Sequence, residues 1–314
     1  MPFIVNKQPS KQTIVKTDRP IWWCAFRWKF FFSALKNEQN DHRFWFNQPG
    51  LLQVNEHPNS HWNVFSYVER FPRPGESIRG KKFELGNGGK GANQAVASAK
   101  LGATVKMIGM VRSENNIVIT PGANAYLIAE RARELESEIA KAEMIVCQAE
   151  VPEDANLEAF RLARKHGVKT FFNPAPGHQD MNRKILEYTD IICTNEIETE
   201  CIVQSKFKSM DDFRDAAKKM LDYGPKLVII TLGDKGVLVA EQLNGDIKVD
   251  HVESEKGAGD CFCGSLVHLL VNFPEIKTLE AVRKASRIAA LSVQKCGCQS
   301  SYPTIEEVKK KGIL

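Results

Sequence analysis

The sequence predicts an α/β fold, a three-layer sandwich with helices on both faces of a mostly parallel central sheet. Three observations carry this. Apolar runs that read as strands, EMIVCQAE, VKTFFNPAPG, ILEYTDIICTNE and KLVIITLGDKG, recur along the middle of the chain. Amphipathic segments that read as helices, AYLIAERARELESEIAKA, ANLEAFRLARKHG and MDDFRDAAKKMLDYG, alternate with them. The chain also has 314 residues, 43% of them hydrophobic, enough to bury one large α/β core.

The elements follow in order from about residue 63. NVFSYVERF and ESIRGKKFELG flank the turn PRPG and read as a hairpin over about 64–86. The glycine-rich stretch from Gly86 to Gly91 leads into ANQAVASAKLG, a short helix ended by Gly102. TVKMIGMV and NNIVITPGAN read as strands, the second running into a turn. After the alternating middle section, GVLVAEQLNGDIKVDHVES reads as a hairpin turning at Asn244-Gly245, and helices dominate from Gly257 onward. Residues 1–62 hold most of the tryptophans but show neither helical nor strand periodicity, so they are left unassigned, as irregular or not native to the fold. Residues 63–314 form the predicted domain.

The net charge of +5, from 43 basic and 38 acidic residues, is too modest and too scattered for a nucleic-acid surface. Eight cysteines, several inside apolar runs, fit reduced structural thiols. Cys261–Cys263 and Cys296–Cys298 have C-x-C spacing rather than the C-x-x-C of a zinc knuckle, though four thiols around zinc stay open as the alternative. The apolar stretch 21–35 is too short to span a bilayer and is interrupted by Arg27 and Lys29. The expectation is a protein without membrane contact, cytoplasmic and compatible with nuclear residence, with an acid-poor start that also fits a mitochondrial leader.

Two motifs carry chemistry. Gly257-Ala258-Gly259-Asp260 runs straight into an apolar helix. Small residues let backbone N–H groups crowd round an anion, and the helix points its positive end at the same place. A phosphoryl group in transfer carries such charge, and Asp260 stands where a carboxylate could take a proton from an attacking hydroxyl. The alternative is an N-cap aspartate in a glycine-rich turn. Gly86 to Gln94 is not a Walker loop, since no Ser or Thr follows Lys90. It offers close backbone approach together with Lys90 and Asn93, or else a tight strand-to-helix turn.

GGKGANQAVASAKLGA near the start and GAGDCFCGSL near the end form a specific pair. With ERFPRPGESIRGKKF, PGAN, VCQAEV, GVKTFFNPAP, TNEIE, VIITLGDKG and VQKCGCQSSYP, they make residues 63–314 resemble the ribokinase-like (phosphofructokinase-B type) carbohydrate kinases. That resemblance implies a sandwich with a small β lid and transfer of phosphate from ATP to a small sugar, D-ribose at O5, with another sugar or a nucleoside as the alternative. Asp260 would be the general base, with Gly257, Ala258 and Gly259 as anion hole. Gly89, Lys90, Gly91, Ala92, Asn93 and Glu150 would hold the sugar. ATP would meet Asn195, Thr231, Leu232, Gly233, Asp234, Lys235, Gly236 and Gly259. Glu198 would organise magnesium through water, and a homodimer would pair through the lid.

Four departures accompany the resemblance. The family's opening strand ends in Asn-x-Asp, whereas His61-Trp62-Asn63 stands here, so an amide replaces a carboxylate that grips two sugar hydroxyls. Only Arg112-Ser113-Glu114 separate two strands that family members set several dozen residues apart, which predicts a truncated lid. Ser254-Glu255-Lys256 replaces the residues that hold a potassium ion before G-A-G-D, while Ser292, Gly297 and Ser301 match and Lys295 does not. Ser286 replaces an Asn near the adenine. Abrupt gaps beside near-perfect motifs read as missing coding segments, and an impaired kinase that keeps at most nucleotide binding is the competing reading.

Overall fold

Successive residues of the central strands face opposite helical layers, and that alternation organises the molecule. The computed structural model describes residues 2–6, 42–43, 62–67, 79, 82–108, 110–111, 124, 127–243, 245–253 and 257–314. In chain order the elements are β1 (Phe3–Asn6), β2 (His42–Arg43), β3 (Trp62–Tyr67), β4 (Lys82–Asn87), α1 (Lys90–Lys100), β5 (Thr104–Met107) and β6 (Met110–Val111). There follow α2 (Ala129–Glu134), α3 (Glu136–Ile139), β7 (Met144–Gln148), α4 (Glu153–Lys165), β8 (Lys169–Asn173), β9 (Ile191–Asn195), α5 (Glu196–Val203) and α6 (Met210–Asp222). The chain closes with β10 (Leu227–Thr231), β11 (Val237–Leu243), β12 (Asp246–Val252), α7 (Gly259–Asn272), α8 (Thr278–Ser292) and α9 (Ile305–Lys310).

The sheet runs β12-β11-β10-β9-β8-β7-β1-β5. Its centre, β7 to β10, is parallel, and the pairings on either side are antiparallel. Phe3, Val5, Val146, Phe171, Cys193 and Ile229 face one layer, packed against residues of α1, α7 and α8 such as Ala95, Leu266 and Ile288. Their neighbours Ile4, Ile145, Phe172, Ile192 and Val228 face the other, against Phe160, Ile202 and Met220 of α4, α5 and α6. The three-layer prediction is thus realised, with a parallel centre and antiparallel flanks.

Within 1–62 the structure assigns what the sequence left open. Phe3, Ile4 and Val5 are fully buried in β1, which pairs antiparallel with both β5 and β7. A run of three apolar residues is too short for a periodicity argument. Its burial comes from filling the slot between two strands that would otherwise present unpaired edges. β3 and β4 form the expected hairpin, with Asn63 opposite Gly86. Residues 115–123 of the strand expected over NNIVITPGAN, and the segment Ser254-Glu255-Lys256, lie outside the described residues.

Three elements differ from expectation. TVKMIGMV, read as one strand, divides into β5 and β6, which belong to different sheets. The helix read over 125–142 is broken at Leu135, where φ is −102° and ψ 8°. The break lets buried Leu135 join Ile108, Leu127 and Val151, while Ala132 and Ile139 on either side pack under the main sheet. The first four residues of ILEYTDIICTNE, read as one strand, belong to a 3-10 helix over Arg183–Tyr188, and the strand itself is confined to Ile191–Asn195. Among the described residues no helix is long and apolar enough to cross a membrane.

Helices α1 and α7 pack closely at Gly264. A Cβ on Gly264 would lie 2.4 Å from the Gln94 carbonyl oxygen and 2.6 Å from the Ala97 Cβ. Ser98 Oγ also donates to the Gly264 carbonyl at 2.6 Å. Gly264→Ala should therefore force the helices apart, costing about 1–3 kcal/mol, and lower the thermal unfolding midpoint by several degrees.

One turn along α7, His268 is buried, with Nδ1 3.2 Å from the Asn272 amide and Nε2 unpartnered. Burial pushes its pKa from 6.5 down to about 4. The unfolded chain therefore binds the proton more readily, and stability falls as pH drops from about 6.5 toward 4, by up to about 3 kcal/mol for this group. Denaturant titrations across that window should show the slope, and His268→Phe should flatten it.

Candidate active site

The ends of the parallel strands carry polar residues that the buried strand bodies exclude. Gln148 ends β7, Asn173 ends β8, Asn195 ends β9 and Thr231 ends β10. Ligands of open α/β sheets bind beyond these carboxyl ends. The N-termini of α1 and α7 arrive at the same place, brought there by the contact at Gly264.

Asp260, half-buried in the first turn of α7, is the centre of the constellation. Its Oδ2 accepts from Asn93 Nδ2 at 2.9 Å and its Oδ1 from Gln94 Nε2 at 3.1 Å. Sequence positions 167 and 166 apart are thereby joined. Asn93 in turn accepts from Gln299 Nε2 at 3.0 Å.

The three residues before Asp260 have different tasks. A Cβ on Gly257 would sit 2.8 Å from Ala289 Cβ, so this glycine lets the turn lie against α8. A Cβ on Gly259 would meet nothing within 4 Å, so open space lies in front of the helix N-terminus. The positive end of α7, a helix of 14 residues, faces that side.

Gly89 adopts φ +89° where the chain turns from the hairpin into α1. The turn aims the Lys90 N–H at Glu150 Oε2, 2.8 Å away, so the loop Gly89, Lys90, Gly91, Ala92 and Asn93 and the residue after β7 come together. The helix begins at Lys90, ahead of the expected alanine, which makes Lys90 and Asn93 first-turn residues.

Asn195 and Glu198 form a capping box on α5. The Asn195 side chain accepts from the Glu198 N–H at 2.8 Å, and Glu198 accepts from the Asn195 N–H at 2.9 Å and from its Nδ2 at 3.0 Å. Burial holds the Glu198 carboxyl above the ordinary carboxylate range, with Asp260 adding to it and the Asn195 N–H and Lys90 opposing.

A cavity of about 850 Å³ lies alongside, lined by Asp234, Lys235, Arg283, Ser286, Arg287 and Lys311 among others. Ser286 is buried there and its Oγ has no partner. Gly236, at φ +94°, has room for no side chain, since a Cβ would lie 2.3 Å from the Val252 carbonyl oxygen. The loop from Thr231 through Leu232, Gly233, Asp234 and Lys235 to Gly236 is thus bent tightly onto β12 beside this cavity. Lys235 pairs with Glu196 at 3.1 Å.

The potassium positions behave differently. Ser292 Oγ and Ser301 Oγ each donate to a carbonyl of their own turn at 2.7 Å, and Lys295 is paired with Glu307. Gly297 turns at φ +95°. The carbonyls of Gln299 and Tyr302 both accept from the Lys100 ammonium at 2.8 Å. The side chain of Asn63 lies outside the described residues.

Sequence reasoning missed Gln94, Gln148, Asn173 and Gln299 as members of the site. The available signal was a polar residue closing each apolar strand run, MIVCQ and KTFFN.

The pfkB family carbohydrate kinase pattern matches residues 62–112 and 110–305, two pieces that overlap at 110–112. The chain is 33% identical over 286 residues to ribokinase of Mus musculus, covering 77% of this chain and 88% of the relative. It is 30% identical over 289 residues to deoxyribokinase of Salmonella typhi, covering 78% and 94%. The solved ribokinase of Thermotoga maritima superposes with a TM-score of 0.61 at 27% identity, covering 80% of this chain and 96% of that one. With the family pattern spanning most of the chain and these two motifs meeting at one carboxylate, the chain belongs to the pfkB family of carbohydrate kinases, ATP-dependent enzymes that phosphorylate sugars.

Proposed function

We propose that the chain is a ribokinase, transferring the γ-phosphoryl group of ATP to O5 of D-ribose. The observation that carries the reading is the convergence of Asp260, Asn93 and Gln94 at the N-terminus of α7, beside open space in front of Gly259. Similarity to ribokinase of Mus musculus supports the sugar.

Asp260 accepts the proton of the O5 hydroxyl as O5 attacks the γ-phosphorus. The bond from that phosphorus to the β,γ-bridging oxygen breaks, and ADP leaves with the electron pair. The N–H groups of Gly257, Ala258 and Gly259, with the positive end of α7, stabilise the migrating group. Lys90, Asn93 and Glu150 hold the sugar, the ionised carboxylate accepting from hydroxyls without donating. The cavity beside Lys235 and Ser286 takes the nucleoside, and the unpartnered Ser286 hydroxyl has a polar adenine edge to meet.

Magnesium fits the residues present as a water-held ion. Both Glu198 oxygens already accept from Asn195, leaving lone pairs for bound waters rather than a dedicated cage, the arrangement magnesium favours. When bound with ATP it neutralises phosphate charge. No step is routed through potassium.

A second sugar is favoured by one observation. Position 63 carries an amide where the family has a carboxylate that grips two hydroxyls, and the similarity to a deoxyribokinase is nearly as strong. 2-Deoxy-D-ribose, with one hydroxyl fewer, is that alternative. ADP release measured across D-ribose, 2-deoxy-D-ribose, D-fructose and adenosine should be greatest with D-ribose. Asp260→Asn should cut kcat by about 10²- to 10⁴-fold, the usual worth of a general base. Near-normal turnover by that variant would overturn the mechanism.

A further inference from the structure

We propose that Gln94 is a positioning residue for phosphoryl transfer, pinning one oxygen of Asp260, and that Gln148 fixes which way its amide faces. This deepens the reading of Asp260 as the base and rests on it.

The polarity of the chain of amides follows from its two ends. The Asp260 carboxylate and the Cys193 backbone carbonyl can only accept. Asn173 Nδ2 donates to the Cys193 carbonyl at 2.8 Å, so its Oδ1 faces Gln94. Gln94 Nε2 must then donate in both directions, to Asn173 Oδ1 at 2.8 Å and to Asp260 Oδ1 at 3.1 Å, which uses both its protons. Its Oε1 is left to accept, and Gln148 Nε2 supplies the donor at 2.9 Å. One orientation of each amide gives every link a donor and an acceptor, while Gln148 Oε1 is buried without a partner.

Burial turns that consistency into rigidity. Gln94 and Gln148 are 0% exposed and Asn173 7%, so bulk water is not at hand to replace a lost bond. Asn93, which holds the other Asp260 oxygen, belongs to the loop that would meet the sugar and can exchange partners when substrate binds. Gln94, the next residue, is fully buried and donates to Asp260 Oδ1. The remaining carboxylate lone pairs stay directed at the incoming hydroxyl.

The test is Gln94→Met, similar in length but without the amide, and Gln148→Met, one bond further from Asp260. Both should lower kcat, the first by about 10- to 100-fold, the scale expected when a reacting group is misplaced by an ångström. KM for ATP and the upward shift of the unfolding midpoint by MgATP should stay as in the parent chain. In the Asp260→Asn background Gln94→Met should add no further loss, because the group it positions is gone. A parent-like kcat in Gln94→Met, or a loss that multiplies with that of Asp260→Asn, would sink the proposal. Should Gln94→Met fail to fold, Gln148→Met decides, and parent-like turnover there overturns the inference. If Asp260→Asn itself stays active, the base reading fails instead, which separates the two.

Discussion

The site depends on how closely two helices can approach. α1 and α7 are brought together from positions about half the chain apart, and the absence of a side chain at Gly264 sets their separation. That contact delivers Asn93 and Gln94 on one helix to Asp260 on the other. A few tenths of an ångström at the contact would be felt in the carboxylate's hydrogen bonds, because close-packed interiors transmit rather than absorb such strain. Packing and chemistry meet in one helix pair.

Around that pair the molecule keeps apolar and polar duties apart. Between their first residues and their carboxyl ends the parallel strands β7 to β10 are buried and carry no polar side chain except Thr170 and Thr194, each hydrogen-bonded. Polar residues concentrate at the carboxyl ends, where the amide chain runs from β9 through β8 and α1 to α7. Because every link lies in low-dielectric surroundings, each bond counts for more than it would in water. Glu198 stands at the edge of this system. Its buried carboxyl is held up in pKa chiefly by desolvation, while its lone pairs are partly taken by Asn195.

Much of this was legible from sequence. The alternation of apolar runs and amphipathic helices gave the layers, and Gly257 to Asp260 and Gly89 to Asn93 were legible as glycine-rich turns leading into helices. The break at Leu135 was not, because a helix can change direction without any glycine or proline when one leucine finds a separate apolar cluster. Nor was β1, whose three buried residues gain their place only from the slot between β5 and β7. Gln94 sat inside a motif already noticed, yet its partners, Gln148 and Asn173, are 54 and 79 residues away.

The sequence by itself determined most of the kinds of element, since periodicity and glycine placement are local properties, and its motifs carried the resemblance to the family. Only the tertiary structure decided which way each amide faces, which glycine is there for packing and which borders open space, and that Lys100 takes the carbonyls of Gln299 and Tyr302. The reason is that hydrogen-bond direction and close approach are relations between atoms far apart in the chain. No single stretch of sequence contains both partners.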